Sequence, residues 1–297
     1  MKIALKIDVD TLRGTREGVP VLMDICARHA AQATFLFSLG PDHTGRALRR
    51  VLRRGFLSKV RRTSVLRHYG LATCLYGTLL PGPDIGRRCA PLMRQVHERG
   101  FETGIHAFDH VLWQDHVAHR DAAWTLAQMK MACERFADIF GAPARVHAAA
   151  GWQMNDAAFL AEDHFGFRYA SDTRGRSAFL PRIGTTVLDC LQLPTTLPTL
   201  DELIGRDDLC GEDPVAHLLR LTAGGSRGDH VYTLHAELEG QQLSGWFGRL
   251  LTGWREQGYE FTSLAGLAQS IDRGSVPVRP IRYQPVAGRA GVLAFQH

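Results

Sequence analysis

His106 and His110 lie four residues apart, directly after the apolar run Phe101-Glu102-Thr103-Gly104-Ile105. Asp8 and Asp10 close an equally apolar run, Ile3-Ala4-Leu5-Lys6-Ile7, at the other end of the domain. Two imidazoles and one carboxylate can hold a divalent ion and leave a position open for water. Such an ion lowers the pKa of that water to about 7. A second carboxylate can then take the proton, and an imidazole opposite can hand one to a leaving nitrogen. His235, at the end of His230-Val231-Tyr232-Thr233-Leu234, suits that acid. Asp172, at the end of Phe167-Arg168-Tyr169-Ala170-Ser171, suits a carboxylate that holds and tunes it. The chemistry suggested is metal-assisted hydrolysis.

Each signal alone has a plainer reading. H-x-x-x-H occurs by chance, and Asp10-Thr11 ahead of a helix suits an N-cap. A lone His235 suits a hydrogen-bonded core histidine. The argument rests on their shared place at strand ends, which depends on the elements that carry them.

Residues 2–9, 33–37, 101–107, 144–149, 167–171, 189–194, 230–235 and 259–262 read as strands by apolar content and bounding turns. Helical periodicity fits 15–31, 86–99, 119–140, 154–164, 212–223, 243–257 and 264–271. Strands alternating with helices of these lengths imply parallel strands with crossovers. Seven or eight such units predict an α/β barrel, closed or nearly so, with its site at the C-terminal ends of the strands. Residues i and i+2 of a strand share a face, so Asp8 and Asp10 can both reach the barrel mouth. Residues 273–297 contain Pro277, Pro280, Pro285 and Gly288 without periodicity, and read as an irregular C-terminal tail outside the catalytic unit of 1–272.

The six cysteines are scattered without a C-x-x-C pair and read as free thiols. No stretch approaches the roughly 20 apolar residues of a membrane span, and no leader pattern precedes the first strand. The net charge of +5 is uneven. Residues 43–83 carry nine Arg or Lys and no acid, and subtracting those nine leaves −4. Within this insert Leu48, Val51, Leu52, Phe56 and Val60 recur at helical spacing among arginines such as Arg49 and Arg53. It reads as a solvated basic helix or as a membrane-surface helix, since each basic side chain near an anionic bilayer contributes about 1 kcal/mol. Nucleic acid is a third reading. It is disfavoured because the chain has no nucleic-acid module and its body is acidic.

The order D-x-D, H-x-x-x-H and a late Leu234-His235 at a strand end resembles the polysaccharide deacetylases, the NodB-homology or family-four carbohydrate esterases, over roughly residues 2–270. The resemblance implies a distorted (β/α)7–8 barrel and one divalent metal. It implies Asp8 as base, Asp10, His106 and His110 as ligands, and His235 as acid. Zn, Mn, Co and Fe all suit such a ligand set. Longer strings, Ile7–Pro20, Ala148–Trp152, Leu197–Asp207 and Tyr232–Gly240, are similar to the subfamily that removes formyl from a formamido-arabinose carried on undecaprenyl phosphate, in lipid A modification and polymyxin resistance. Arg13, Arg16, Trp152, Arg174 and Glu237, in or near those strings, become candidate substrate contacts. The insert, with Leu48, Arg49, Leu52, Arg53 and Phe56, becomes a candidate membrane contact. The implied location is the cytoplasmic side of the bacterial inner membrane, peripheral, without a required protein partner.

Two departures stand out. Val9 separates aspartates that are adjacent in typical members. The base-orienting arginine of an R-x-P segment is missing, for that region reads Val146-His147-Ala148-Ala149-Ala150. Arg13 or Arg174 could orient the base, and either could equally bind the substrate phosphate. The alternative activities are N-deacetylation of another amino sugar and a catalytically silent metal- or lipid-binding barrel.

Overall fold

A computed structural model describes residues 1–47, 72–206, 209, 211–223, 228–286, 289 and 291–297. Leu48, Arg49, Leu52, Arg53 and Phe56, the candidate membrane contacts, lie outside the described residues. Strand β1 (Lys2–Val9) is buried along almost its whole length, as expected for a central strand of a parallel sheet covered on both faces. On one edge, β2 (Thr34–Ser38) pairs with its C-terminal half, placing Leu36 opposite Asp8. On the other, β9 (His230–His235) runs beside it and places His235 opposite Asp8. β10 (Glu260–Thr262) pairs with Lys2–Ala4. From β2 the sheet continues through β3 (Glu102–Ala107), β4 (Val146–His147), β5 (Tyr169–Ala170) and β8 (Leu191–Gln192). Every one of these pairings is parallel.

The crossovers are helical: Val19–Arg28, Ile85–Glu98, Ala122–Phe140, Asp156–Phe165, Pro214–Ala223 and Ser244–Glu256. Their starts carry side-chain caps where the sequence offers them, Asp84, Asp121 and Asn155 each accepting from a backbone N–H three residues on. The expected barrel is therefore an eight-stranded parallel sheet curled most of the way round. Its seam lies between β8 and β9 and is stitched by few bonds. Thr196 N donates to Val231 O at 3.1 Å, and the Thr195 and Thr233 hydroxyls meet at 2.8 Å.

Two apolar layers sandwich the sheet. Ile3, Leu5, Ile7 and Val9 pack against the crossover helices, whereas Ala4, Leu36, Val146, Leu191 and Val231 form a separate inner cluster closed by Leu264 and Leu267. Because alternate strand residues share a face, Ala4, Lys6 and Asp8 climb the inner side from an apolar floor toward the mouth. Cys26, Cys74, Cys89, Cys133 and Cys190 are free thiols, and Cys210 is outside the described residues.

Residues 273–297 correct the expectation of an irregular tail. β11 (Val278–Gln284) and β12 (Leu293–Gln296) join β6 (Leu180–Ile183) and β7 (Thr186–Val187) in a second sheet, order β12-β11-β6-β7. Leu293 and Ala294 are fully buried. Arg174 N donates to Ala294 O, and Gln296 N donates to Arg174 O, both at 2.9 Å. The prolines mislead because a strand tolerates proline where no ladder donor is needed. β11 pairs with β6 only through Val278–Pro280 and with β12 only through Ile281–Gln284. The partner changes right after Pro280.

Candidate metal centre and active site

Asp10, His106 and His110 come together at the mouth. Asp10 Oδ1 lies 3.2 Å from His106 Nε2 and 3.5 Å from His110 Nε2. The three side chains offer ligand atoms that all lie within 4.8 Å of one another. His106 Nδ1 is 2.6 Å from the Ala148 carbonyl. A carbonyl only accepts, so Nδ1 carries the ring hydrogen and Nε2 keeps its lone pair for an ion. Asp10 Oδ1 is buried and accepts no hydrogen bond. A donor set of two imidazole nitrogens and an unsatisfied carboxylate oxygen fits a divalent cation. Burial alone would raise the Asp10 carboxyl, but the imidazoles of His110, His106 and His235 hold it far below the usual carboxylate range.

The Asp10 backbone is anchored from beneath. Glu237 Oε1 accepts from Asp10 N at 3.1 Å, Thr11 N at 2.9 Å and the Thr11 hydroxyl at 2.8 Å. Asp42 accepts from Leu12 N at 2.9 Å. A Cβ on Gly14 would stand 1.9 Å from Glu237 Oε1, so the glycine in Arg13-Gly14-Thr15 admits the carboxylate that shapes this turn. Glu237 is thereby corrected from a substrate contact to a support of the metal loop. Burial, followed by the charge of Asp10, raises its carboxyl to about 8.

Asp8 lies beside this cluster with Oδ1 3.8 Å from His106 Nδ1. The cation facing it is Lys6, one step down the same strand face. Lys6 Nζ is 3.6 Å from Asp8 Oδ2 and donates to the Ser171 carbonyl at 2.9 Å. Burial lowers the Lys6 pKa, with Asp8 and Asp172 pulling the other way. Neither arginine considered for this place is there. Arg13 pairs with Glu17 at 2.7 Å near the surface, and Arg174 pairs with Glu202. Sequence reasoning passed over Lys6. Its signal was present: a lone charge within a buried strand, two residues before Asp8.

His235 faces the same cavity from β9. Its nearest carboxylate is Asp201, whose Oδ1 lies 3.9 Å from Nδ1, while Glu239 accepts from its backbone N–H at 2.9 Å. Burial opposes protonation of His235, but Asp201, Asp10, Asp8 and Glu239 raise its pKa to about 9. Asp172 is corrected here, because it does not hold His235. It lies in a wholly buried group with His147, whose Nδ1 is 2.9 Å from both Asp172 Oδ1 and Glu162 Oε1. Gln192 Nε2 donates to both carboxylates. Asp172 also accepts from Ala149 N at 2.7 Å, fixing the turn whose Ala148 carbonyl holds His106. Its role is thus two bonds removed from the mouth. This group is the other cluster of metal-capable side chains among the described residues.

The cavity at the mouth is about 400 Å³ and is lined by Asp8, Asp10, His106, His110, Asp201 and His235, together with Trp152 and Arg289. Trp152 is buried at φ +55° beside Gly151 at φ +62°, a strained placement for an aromatic residue that costs of order 1–3 kcal/mol. Its indole N–H donates to Thr195 Oγ1 at 3.0 Å. Arg174 and Arg289 lie over its ring at 4.9 Å and 5.0 Å, and Lys6 at 5.0 Å. Among the candidate substrate contacts, Trp152 reaches the cavity. Arg16 is exposed and lies against Cys89, and Arg174 lines a neighbouring cleft.

Curled parallel sheet, crossover helices and a two-histidine, one-carboxylate mouth together define the polysaccharide deacetylase fold. A Mycobacterium smegmatis protein assigned as a polysaccharide deacetylase shares it, with a TM-score of 0.65 at 16% identity, covering 96% of this chain and 94% of that one. No family model matches the sequence. Curated proteins do. One, named "Probable 4-deoxy-4-formamido-L-arabinose-phosphoundecaprenol deformylase ArnD" in Shewanella sediminis (strain HAW-EB3), is 38% identical over 295 residues, 99% of this chain and 94% of its own. A protein of the same name in Wigglesworthia glossinidia brevipalpis is 30% identical over 286 residues, 95% of this chain and 98% of its own. The chain belongs to the ArnD deformylase family.

Proposed function

We propose that this chain hydrolyses the N-formyl group of 4-deoxy-4-formamido-L-arabinose linked to undecaprenyl phosphate, and so serves lipid A modification and resistance to polymyxin and other cationic peptides. The observation that carries this reading is the β1–β9 register. It sets Asp8 directly opposite His235 beside the Asp10, His106 and His110 cluster. Those three side chains would hold one divalent cation, and Zn, Mn, Co and Fe all suit them. When bound, the cation supplies Lewis acidity to the carbonyl and to water.

The chain's own residues do the rest. Asp8, held by Lys6, takes the proton of the attacking water as its oxygen bonds to the formyl carbon. His235 has Nδ1 toward Asp201, which leaves Nε2 to protonate the sugar nitrogen as the C–N bond breaks. Formate and a free amine result. Trp152 walls the pocket against bulk water and supports the sugar.

The lipid-linked substrate places the enzyme at the inner face of the inner membrane as a peripheral protein. No described helix is long and apolar enough to cross a bilayer. Within the described part of the basic insert, Leu79 is 81% exposed, and Leu75 and Leu80 are exposed as well. Ala47, at the insert's start, lines the cavity. Such a surface suits contact with anionic lipid at the site of substrate entry.

The test compares formate and acetate release from matched formamido and acetamido substrates, before and after chelation. A formyl pocket that excludes one methyl group gains about 1–3 kcal/mol of discrimination, or 10–200-fold. Formate release restored by added divalent ion is expected. Equal release of acetate would reassign the enzyme as a general deacetylase.

A further inference from the structure

We propose that Arg289, carried by the loop between β11 and β12, is a positioning residue for the acid His235, acting through Asp201. The proposal builds on the assignment of His235 as proton donor. Asp201 sits on the four-residue helix Leu200–Leu203, too short to hold its own geometry. Its carboxylate is fixed from outside. Arg289 Nη2 lies 3.2 Å from Asp201 Oδ1 and 3.0 Å from Oδ2. Thr199 Oγ1 donates to Oδ1 at 2.5 Å, and Arg289 Nη2 donates in turn to Thr199 Oγ1 at 2.8 Å. The other edge of the guanidinium is tied down too, with Nε donating to Glu202 Oε1 at 3.0 Å, and Arg174 grips the same Glu202. The guanidinium carbon lies over the Trp152 ring, 5.0 Å from its centre.

One arginine thus locks Thr199, Asp201 and Glu202 together, and the locked carboxylate is the one facing the buried His235 Nδ1, 3.9 Å away as an ion-pair contact and not a hydrogen bond. A phosphate ligand would have to displace these carboxylates, so the geometry favours a positioning role over substrate capture. In the chain, Arg289 lies between β11 and β12. This makes the second sheet a working part of the active site, beyond any role in stability.

The experiment measures kcat, KM and bound metal for Arg289→Ala, Arg289→Lys, Asp201→Asn, His235→Ala and the Arg289→Ala/Asp201→Asn double variant, using the undecaprenyl-phosphate-linked formamido sugar. Loss of a residue that orients an active-site group costs about 10–100-fold. Arg289→Ala is expected to lose that much in kcat, with KM and metal content near wild type. Lys at 289 and added millimolar guanidinium should each restore part of the loss. The double variant should be no slower than Asp201→Asn alone. A raised KM at unchanged kcat would make Arg289 a substrate ligand and overturn the proposal, as would losses that multiply in the double variant. If Arg289→Ala fails to fold, the Lys variant carries the same cycle. Wild-type turnover by His235→Ala would instead sink the acid assignment itself, a separate failure.

Discussion

The cavity has two walls of different construction. On the β1 and β3 side, Lys6, Asp8 and His106 project from buried strands, Asp10 follows β1 directly, and His110 opens the short helix His110–His116 after β3. On the other side only His235 comes from a strand. Asp201 rides a single helical turn, Trp152 a left-handed turn, and Arg289 a loop from the second sheet. The first wall takes its precision mostly from ladder pairing, with the Glu237 carboxylate holding the Asp10 turn. The second takes it from ion pairs and hydroxyls between segments that are distant in sequence. Rigid backbone suits a metal centre, whose ligands must meet within a few tenths of an ångström. The proton donor needs only to be aimed.

That contrast can be broken by substitution. The largest effect is expected from His106→Ala, which removes a ligand: bound metal measured by elemental analysis should vanish with turnover. A metal-free but fully active variant would refute the arrangement. Asp8→Asn should keep the metal and lose about 10²–10⁴-fold in kcat, the usual worth of a general base. Lys6→Met should keep the metal too and lose about 10–100-fold, as for other orienting groups. An unaffected kcat would mean that Asp8 is held by something other than Lys6.

The smallest effect concerns the buried His147 group and should appear in stability alone. Asp172 and Glu162 raise His147 to about 9 in spite of burial, above its ordinary value of about 6.5. Asp172 is lowered to about 2 by His147, again against burial. A raised imidazole stabilises fully below its unfolded pKa and loses that contribution as pH climbs through its folded one. A depressed carboxyl does the reverse. The Tm gap between wild type and His147→Gln should therefore be widest between about pH 4 and 6.5 and narrow toward pH 9. A gap constant from pH 5 to 9 would show that His147 is neutral in the folded chain.

The same contrast explains what could be read from the residues alone. The strand-borne wall was legible because apolar runs announce buried strands and their ends announce the mouth. Asp8, Asp10, His106 and His110 line one cavity, and His235 faces them from the strand on the other wall. The loop-borne wall was not. Asp172 looked like the partner of His235 because it also ends a strand, yet its strand lies far round the sheet and its carboxylate turns toward His147. Asp201 sits in a string that seemed merely part of a resemblance, and Arg289 in a stretch whose prolines hid two strands. Nothing local marks a residue whose role is set by a contact made 88 positions away. Lys6 was legible and overlooked, for an ammonium does not stay in a dry strand without a carboxylate nearby.

The clasp formed by β11 and β12 also divides the labour along the chain. The ligands, the base, the acid and Glu237, which anchors the Asp10 turn, all precede β11. Arg289, which ties down the carboxylate facing the acid, follows it. A chain cut before β11 therefore keeps every group proposed to hold the ion and loses the arginine that aims the proton donor, so ion binding and turnover depend on separable stretches of sequence.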